Sequence, residues 1–247
     1  MNQLKWISSL LVVCTLLFSA CNLYLDDDDD GLFDCESGKG EVVTDEISIG
    51  DFTGIKLRIG ADVYIRQGSP QKVEIEAQQN IINQLDRDID NDNWEIEFDG
   101  CVKNHRDIRV FVTLPEIKNI SIEGSGSVFS ENTLDADQLV LRISGSGDMD
   151  LAVDTDELDT KISGSGDIKI EGKSNEFDLR INGSGDFRAF NMDAERGDIR
   201  ITGSGNAEVT VENVLDVNIT GSGDVRYRGN PTINEKITGS GDLIDAN

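Results

Sequence analysis

A chain of 247 residues with 48 Asp and Glu against 22 Lys and Arg carries a formal net charge of −26. Such a field opposes binding to nucleic acid or to an anionic membrane surface, and it attracts cations. Glycine is abundant, at 25 residues, but it does not recur at every third position, so a collagen-type helix is excluded.

Residues 1–20 read as a targeting segment. Lys5 is the single charge there, and Leu10 to Phe18 is apolar apart from Thr15. That run is shorter than the roughly 20 residues a membrane-spanning helix needs, and it suits the apolar region of a secretory signal. It ends in Leu17-Phe18-Ser19-Ala20-Cys21. Small residues placed directly before a cysteine resemble the bacterial lipobox, with Phe18 where an aliphatic residue is usual. The resemblance implies acylation of Cys21 and an outer-membrane lipoprotein of a Gram-negative cell. Acyl chains would hold such a protein to the membrane, because each buried methylene contributes roughly 0.8 kcal/mol.

Residues 21–37 follow as an acidic tether. Asp26 to Asp30 place five carboxylates side by side, which cannot be buried unpaired. Acidic residues soon after a lipidated cysteine also resemble the surface-export signal of Bacteroidetes lipoproteins, which implies exposure at the cell surface. Of the four cysteines, Cys14 leaves with the signal and Cys21 is acylated. In an oxidising envelope the remaining two, Cys35 and Cys101, are expected to form a disulfide tying the tether to the first domain. Two thiols and the lone histidine, His105, offer no recognisable metal-ligand spacing.

Residues 38–122 read as an irregular β-solenoid part. Ile55 to Ile59 alternates, Gly60 turns the chain, and Asp62 to Arg66 alternates again before Gln67-Gly68. Val73 to Ala77, Trp94 to Phe98 and Ile108 to Val112 are further strands. Asn80 to Ile89 reads as a short helix or irregular turn with Ile81, Ile82 and Leu85 on its apolar side. His105 falls in the polar loop Lys103-Asn104-His105-Arg106, and Pro115 closes the last of these strands.

Residues 123–247 repeat. Gly-Ser-Gly begins at Gly124, Gly145, Gly164, Gly183, Gly203, Gly221 and Gly239, and closes at Gly126, Gly147, Gly166, Gly185, Gly205, Gly223 and Gly241. The spacings are 21, 19, 19, 20, 18 and 18 residues, so the triplets mark coils rather than a flexible linker. Before the turns, Leu139, Leu141 and Ile143 share one side, as do Phe177, Leu179 and Ile181, and Leu215, Val217 and Ile219. After them, Met149, Leu151 and Val153 form a second inward set, matched by Ile168 with Ile170 and by Val225 with Tyr227. Arg142, Lys161, Arg180, Arg200, Asn218 and Lys236 point to solvent.

Each coil is therefore strand, turn, strand and Gly-Ser-Gly turn, and stacked coils bury what one coil cannot. Seven rungs at about 4.8 Å give a rod roughly 30 Å long. Glycine suits the turn because it tolerates positive φ and close backbone approach, both needed where a stacked chain reverses.

After each later triplet stands Asp148, Asp167, Asp186, Asn206, Asp224 or Asp242, with Ser127 in the first copy. Repeated Gly and Asp resemble the calcium-binding β-roll, which makes Asp148, Asp167, Asp186, Asp224 and Asp242 weak calcium candidates. The β-roll has two nine-residue units per coil and this chain has one. The favoured role of these carboxylates is to cap the N–H groups of their own turn, with Asn206 and Ser127 relieving repulsion.

No catalytic constellation stands out. The repeat serines have no neighbouring base, and Gly-Ser-Gly-Asp is not a nucleophile elbow. Arg196-Gly197-Asp198 spells an adhesion tripeptide, but the repeat places it in a strand.

Cys35, Phe52-Thr53-Gly54-Ile55-Lys56-Leu57, Gln67-Gly68, Val112-Thr113-Leu114-Pro115 and the Gly-Ser-Gly-Asp turns together resemble the auto-transporter adhesin head GIN domain family over roughly residues 38–225. The resemblance implies an all-β, right-handed parallel β-helix in a Bacteroidetes lipoprotein, with no established catalytic residues or cofactor. The expected function is a non-catalytic envelope adhesin or structural module that binds a glycan or a surface protein. Tyr227 and Trp94 are the aromatics expected to favour glycan contact. The alternative is a carbohydrate-processing or ligand-binding accessory that uses surface carboxylates.

Overall fold

Alternation on both sides of each triplet makes extended strands, and the triplets fix where they turn. The computed structural model describes residues 35–247. Cys21, the signal segment and the Asp26–Asp30 run lie outside the described residues. Five long strands, Leu134–Gly145, Asp148–Gly164, Ile168–Gly183, Phe187–Gly203 and Ala207–Gly221, each end on the first glycine of a triplet. Most of them bend midway instead of stopping. At two of the bends a buried hydroxyl, Thr155 Oγ1 or Ser174 Oγ, donates to the carbonyl two residues on, at 2.9 and 2.7 Å. Val225–Arg228, Thr232–Gly239 and Leu243–Asp245 continue the stack.

Successive coils pair parallel and, up to each triplet, in register, with irregularities where Phe187–Gly203 meets its two neighbours. Ile143, Ile162, Ile181, Ile201, Ile219 and Ile237 form one column, and the first glycines of the last six triplets form another. The inward residues between the triplets are buried as far as Val225, and they make one continuous core with those of the N-terminal part. Fully burying one Leu or Ile is worth about 1.5–3 kcal/mol, so a column that keeps its apolar residues is a large stabilising element. Columns also balance volume. Phe177 fits because the facing position of the next coil is Gly197, where a Cβ would sit 2.6 Å from Phe177 Cε1. Gly197 therefore faces the core, and Arg196-Gly197-Asp198 lies flat within its strand as expected.

The N-terminal part is stacked out of sequence order. Gly54–Leu57 and Asp62–Gln67 form the first coil along the chain. Asn93–Ile96 and Arg109–Leu114 pair parallel with its one edge, whereas Asn119–Ile122 and Ser127–Ser130 pair with the other. The first coil in sequence is thus interior in space, and residues 115–118 carry the chain past it. Beyond Arg109–Leu114 the ladder turns antiparallel, through Lys72–Gln78 and then Val42–Ile47.

The Asn80 to Ile89 segment contains one helical turn, Gln79–Ile82, with Ile81, Ile82 and Leu85 buried. Cys35 and Cys101 are bonded, and Glu36–Ser37 pairs with Val102–Lys103. Residues 35–37, the last of the 21–37 tether, are therefore part of the fold. Closing a loop of 66 residues stabilises a fold by about 4 kcal/mol in the chain-entropy account. No helix of the described residues is long and apolar enough to cross a membrane.

Candidate functional site

The turn edge is built by backbone. Ser165 N–H donates to Gly145 O at 2.9 Å, Ser184 N–H to Gly164 O at 2.9 Å and Ser222 N–H to Gly203 O at 2.8 Å. Such close stacking divides the work between the two glycines. Gly183 has φ +144°, and a Cβ there would overlap the Gly164 carbonyl oxygen. Gly185 is not at positive φ, so of the two properties expected of a turn glycine it uses close approach alone. Its Cβ would instead overlap Gly166 O and lie 2.8 Å from Ile162 Cγ2.

The turn carboxylates also differ from expectation. They do not cap their own turn; all but the last, Asp242, reach one coil along. Asp167 N–H donates to Asp148 Oδ1 and Asp186 N–H to Asp167 Oδ1, both at 2.9 Å. Asn206, Asp224 and Asp242 continue the same ladder at 3.0 Å. Arg188 then bridges the second oxygens of Asp167 and Asp186, at 2.9 Å each. Among the described residues no cluster of three or more His, Cys, Asp or Glu has metal-holding geometry.

A second acidic column lies on the outer sheet face before the turns, where Asp159, Asp178, Asp198 and Asp216 stand in register. Arg200 pairs with Asp198 at 2.8 Å and Asp178 at 3.3 Å, and Arg180 pairs with Asp178 at 2.8 Å. Burial pushes the Asp198 carboxyl above its usual range; Asp178 and Asp216 push the same way, and Arg200 opposes them. The Oδ1 atoms of Asp159 and Asp178 are buried without a hydrogen-bond partner, although Arg180 Nη1 lies 3.9 Å from that of Asp159.

The aromatic expectation is overturned at Trp94. Its side chain is 0% exposed, tilted against Phe52, and its Nε1 donates to Asp86 O at 3.0 Å. The indole is apolar core with a satisfied donor. Tyr227 is half-buried against the core. Alternation had already set Tyr227 among the inward residues of its strand, and a strand's inner face holds aromatics as readily as its outer one. Three rings missed by sequence reasoning do face outward, Phe111, Tyr64 and Phe129; they stack on one another at 5.1 and 5.2 Å, which covers both faces of Tyr64. His105 is exposed in its loop, edge-on to Phe98 at 6.0 Å.

Where residues 115–118 cross the interior coil, the backbone ladder has a gap. Gln67 fills it with a side chain: Oε1 accepts from Asp135 N–H at 2.5 Å, and Nε2 donates to Asp135 O at 2.9 Å and Pro115 O at 3.3 Å. Asn132 closes the other side, donating to Gln67 O at 3.0 Å and accepting from its N–H at 2.9 Å. Beside this patch is a hollow of about 580 Å³. Asp135, Ala136, Asp137, Gln138, Val140 and Arg142 line one wall, and residues 116–119 line the other. Glu116 and Lys118 pair with each other at 2.9 Å. Asp135, Asp137 and Arg142 form no ion pair among the described residues, and all three are exposed.

The described residues form a parallel β-solenoid with ladder-built turns and an irregular groove beside the chain crossover. The chain belongs to the family described as "Putative auto-transporter adhesin, head GIN domain", whose sequence profile matches residues 51–231. Its fold is similar to that of a "putative adhesin" from Bacteroides fragilis, at 24% identity and TM-score 0.80, covering 85% of this chain and 99% of that one. A "putative adhesin" from Parabacteroides merdae is similar at 24% identity and TM-score 0.71, covering 86% and 99%. A "putative lipid binding protein" from Parabacteroides distasonis is similar at 22% identity and TM-score 0.74, also covering 86% and 99%. None of the curated proteins compared with the chain matches it.

Proposed function

We propose that this protein is a non-catalytic adhesive module of the bacterial cell envelope, anchored to the outer membrane through acylated Cys21 and binding a surface glycan or protein. The observation that supports this reading most is the crossover groove. Elsewhere many surface charges pair within a coil or along the solenoid axis, whereas Asp135, Asp137 and Arg142 are left unpaired around a hollow of ligand size.

The test has two parts. Labelled palmitate should enter the wild-type protein and not Cys21→Ser, which should be released soluble; equal labelling would remove the anchor. The released Cys21→Ser protein should then bind immobilised envelope glycans or intact cells without changing them. Turnover of a bound glycan would instead establish the carboxylate-based alternative.

A further inference from the structure

We infer that the crossover groove is a binding site for a neutral, hydroxyl-rich sugar. This rests on the adhesive reading and adds the ligand class and the residues that would recognise it. The groove exists because of topology. In the regular coils, each lead-in to a strand lies directly on the lead-in of its neighbour. At residues 115–118 the chain arrives from two coils away, and Val140 N–H donates to Lys118 O at 2.9 Å as the first ladder contact. The wall before that point, residues 135–138, has no strand beneath it and stands open.

Its chemistry is that of hydroxyl recognition. Asp135 and Asp137 offer carboxylate acceptors, and Arg142 offers a donor fork two residues from Val140. A carboxylate binds a hydroxyl by a charge-assisted hydrogen bond, and a guanidinium next to it can donate to the neighbouring hydroxyl oxygen. Gln138 uses its amide N–H on Glu157 at 3.1 Å, and that bond fixes the amide's position on the wall. Val140 and Ala136 are half-buried apolar patches between these groups. Val140 holds the column position that later coils give to Asp159, Asp178, Asp198 and Asp216, so a carboxylate is replaced by a C–H surface here. A pyranose ring has this mixture: hydroxyls around its edge and C–H groups on its faces.

Two features select a neutral ligand. The net charge of −26 disfavours an anionic sugar approaching at low salt. Asp135 and Asp137 would attract a cationic amino sugar, and Arg142 offsets that attraction at the donor side of the groove. The site is also preformed, because Gln67 holds the Asp135 backbone at both its N–H and its carbonyl. A preformed wall gives up little conformational freedom on binding.

The test uses the full-length Cys21→Ser protein and a panel of mannose, galactose and N-acetylglucosamine disaccharides, with a uronic-acid disaccharide and glucosamine as charged controls. Titration calorimetry should find a neutral disaccharide that binds. Arg142→Leu and Asp137→Asn should each weaken it about tenfold or more. Ala136→Trp, which fills the groove and removes no charge, should abolish binding, and Lys236→Ala in a distant coil should leave it unchanged. All variants should melt as wild type does. Neutral-sugar binding that survives both Arg142→Leu and Ala136→Trp would put the site elsewhere and overturn the inference. Binding of the uronic acid or glucosamine alone would overturn the ligand class. Binding to cells with no sugar bound would overturn this inference and leave the adhesive reading standing; binding to neither would overturn both.

Discussion

In the coils after Leu134, like meets like along the axis: Ile on Ile, Gly on Gly, and each turn carboxylate on the N–H of the next turn. Residues 35–122 use a different set of contacts. Arg58 pairs with Glu95, Glu97 and Glu123, Lys56 reaches Glu95 at 2.7 Å, Gln67 substitutes for backbone, and a disulfide fastens the first residues. The difference follows from chain order. A sequential coil meets its neighbour in register and needs only repetition, since solenoid stability is carried by nearest-neighbour contacts. A coil inserted out of order must be joined by contacts between distant segments. Arg58–Glu123, Arg66–Glu131 and Gln67–Asn132 all span 65 residues, because all three join the same two coils.

The comparison breaks most sharply at the turn glycines. Gly185→Val drives a side chain into Gly166 O and Ile162 Cγ2, where backbone has to move. Overpacking of this kind costs about 1–3 kcal/mol or more, and a central break exposes both flanking coils. Ser184→Ala next to it removes an exposed hydroxyl and should change stability by no more than about 0.5 kcal/mol. Thermal melting and limited proteolysis should separate the two, with cleavage near residue 185 in the valine variant alone. Equal melting would mean the triplets are loose loops rather than stacking elements.

Gln67→Leu should sharpen the contrast from the other side. It removes the partner of the Asp135 N–H and carbonyl, at a cost of about 0.5–1.5 kcal/mol because water can reach the gap. Amide exchange should quicken at Asp135 and stay unchanged at Ser184. Faster exchange at both would show that the two parts open as one unit.

These outcomes also bear on what was legible before the structure. Gly-Ser-Gly spacing and alternation were enough to read the regular coils, because each rung states its own pattern and its neighbour repeats it. The crossover was not legible. Its period is 65 residues, and the aligned turn, Ile59-Gly60-Ala61, stands where the next coil has Gly124-Ser125-Gly126, so the triplet signature is lost. The groove was missed for the same reason: it arises from a stacking order that no local pattern records. Trp94 was misjudged because alternation fixes which residues share a face but not which face is inside until the partner strand is known.

The smallest expected effect lies in the outer acidic column. Asp198 has its carboxyl raised chiefly by burial, with Asp178 and Asp216 adding and Arg200 opposing. A carboxyl raised in the folded state penalises the fold when ionised. That penalty is complete above the folded-state value, is relieved as pH falls through it, and is gone below the unfolded value. Asp198→Asn removes the ionisation and keeps a hydrogen-bonding head, as Asn234 already does in the last coil by donating to Asp216 Oδ1 at 2.8 Å. The variant should therefore melt slightly higher than wild type near neutral pH, and the difference should vanish as the solution is acidified through the carboxylate range. The side chain is more than one-third exposed, so solvent screening keeps the gain small. A variant that melts lower at neutral pH would mean that the Asp198–Arg200 pair outweighs burial and repulsion, and that the column stabilises the regular coils instead of being tolerated by them.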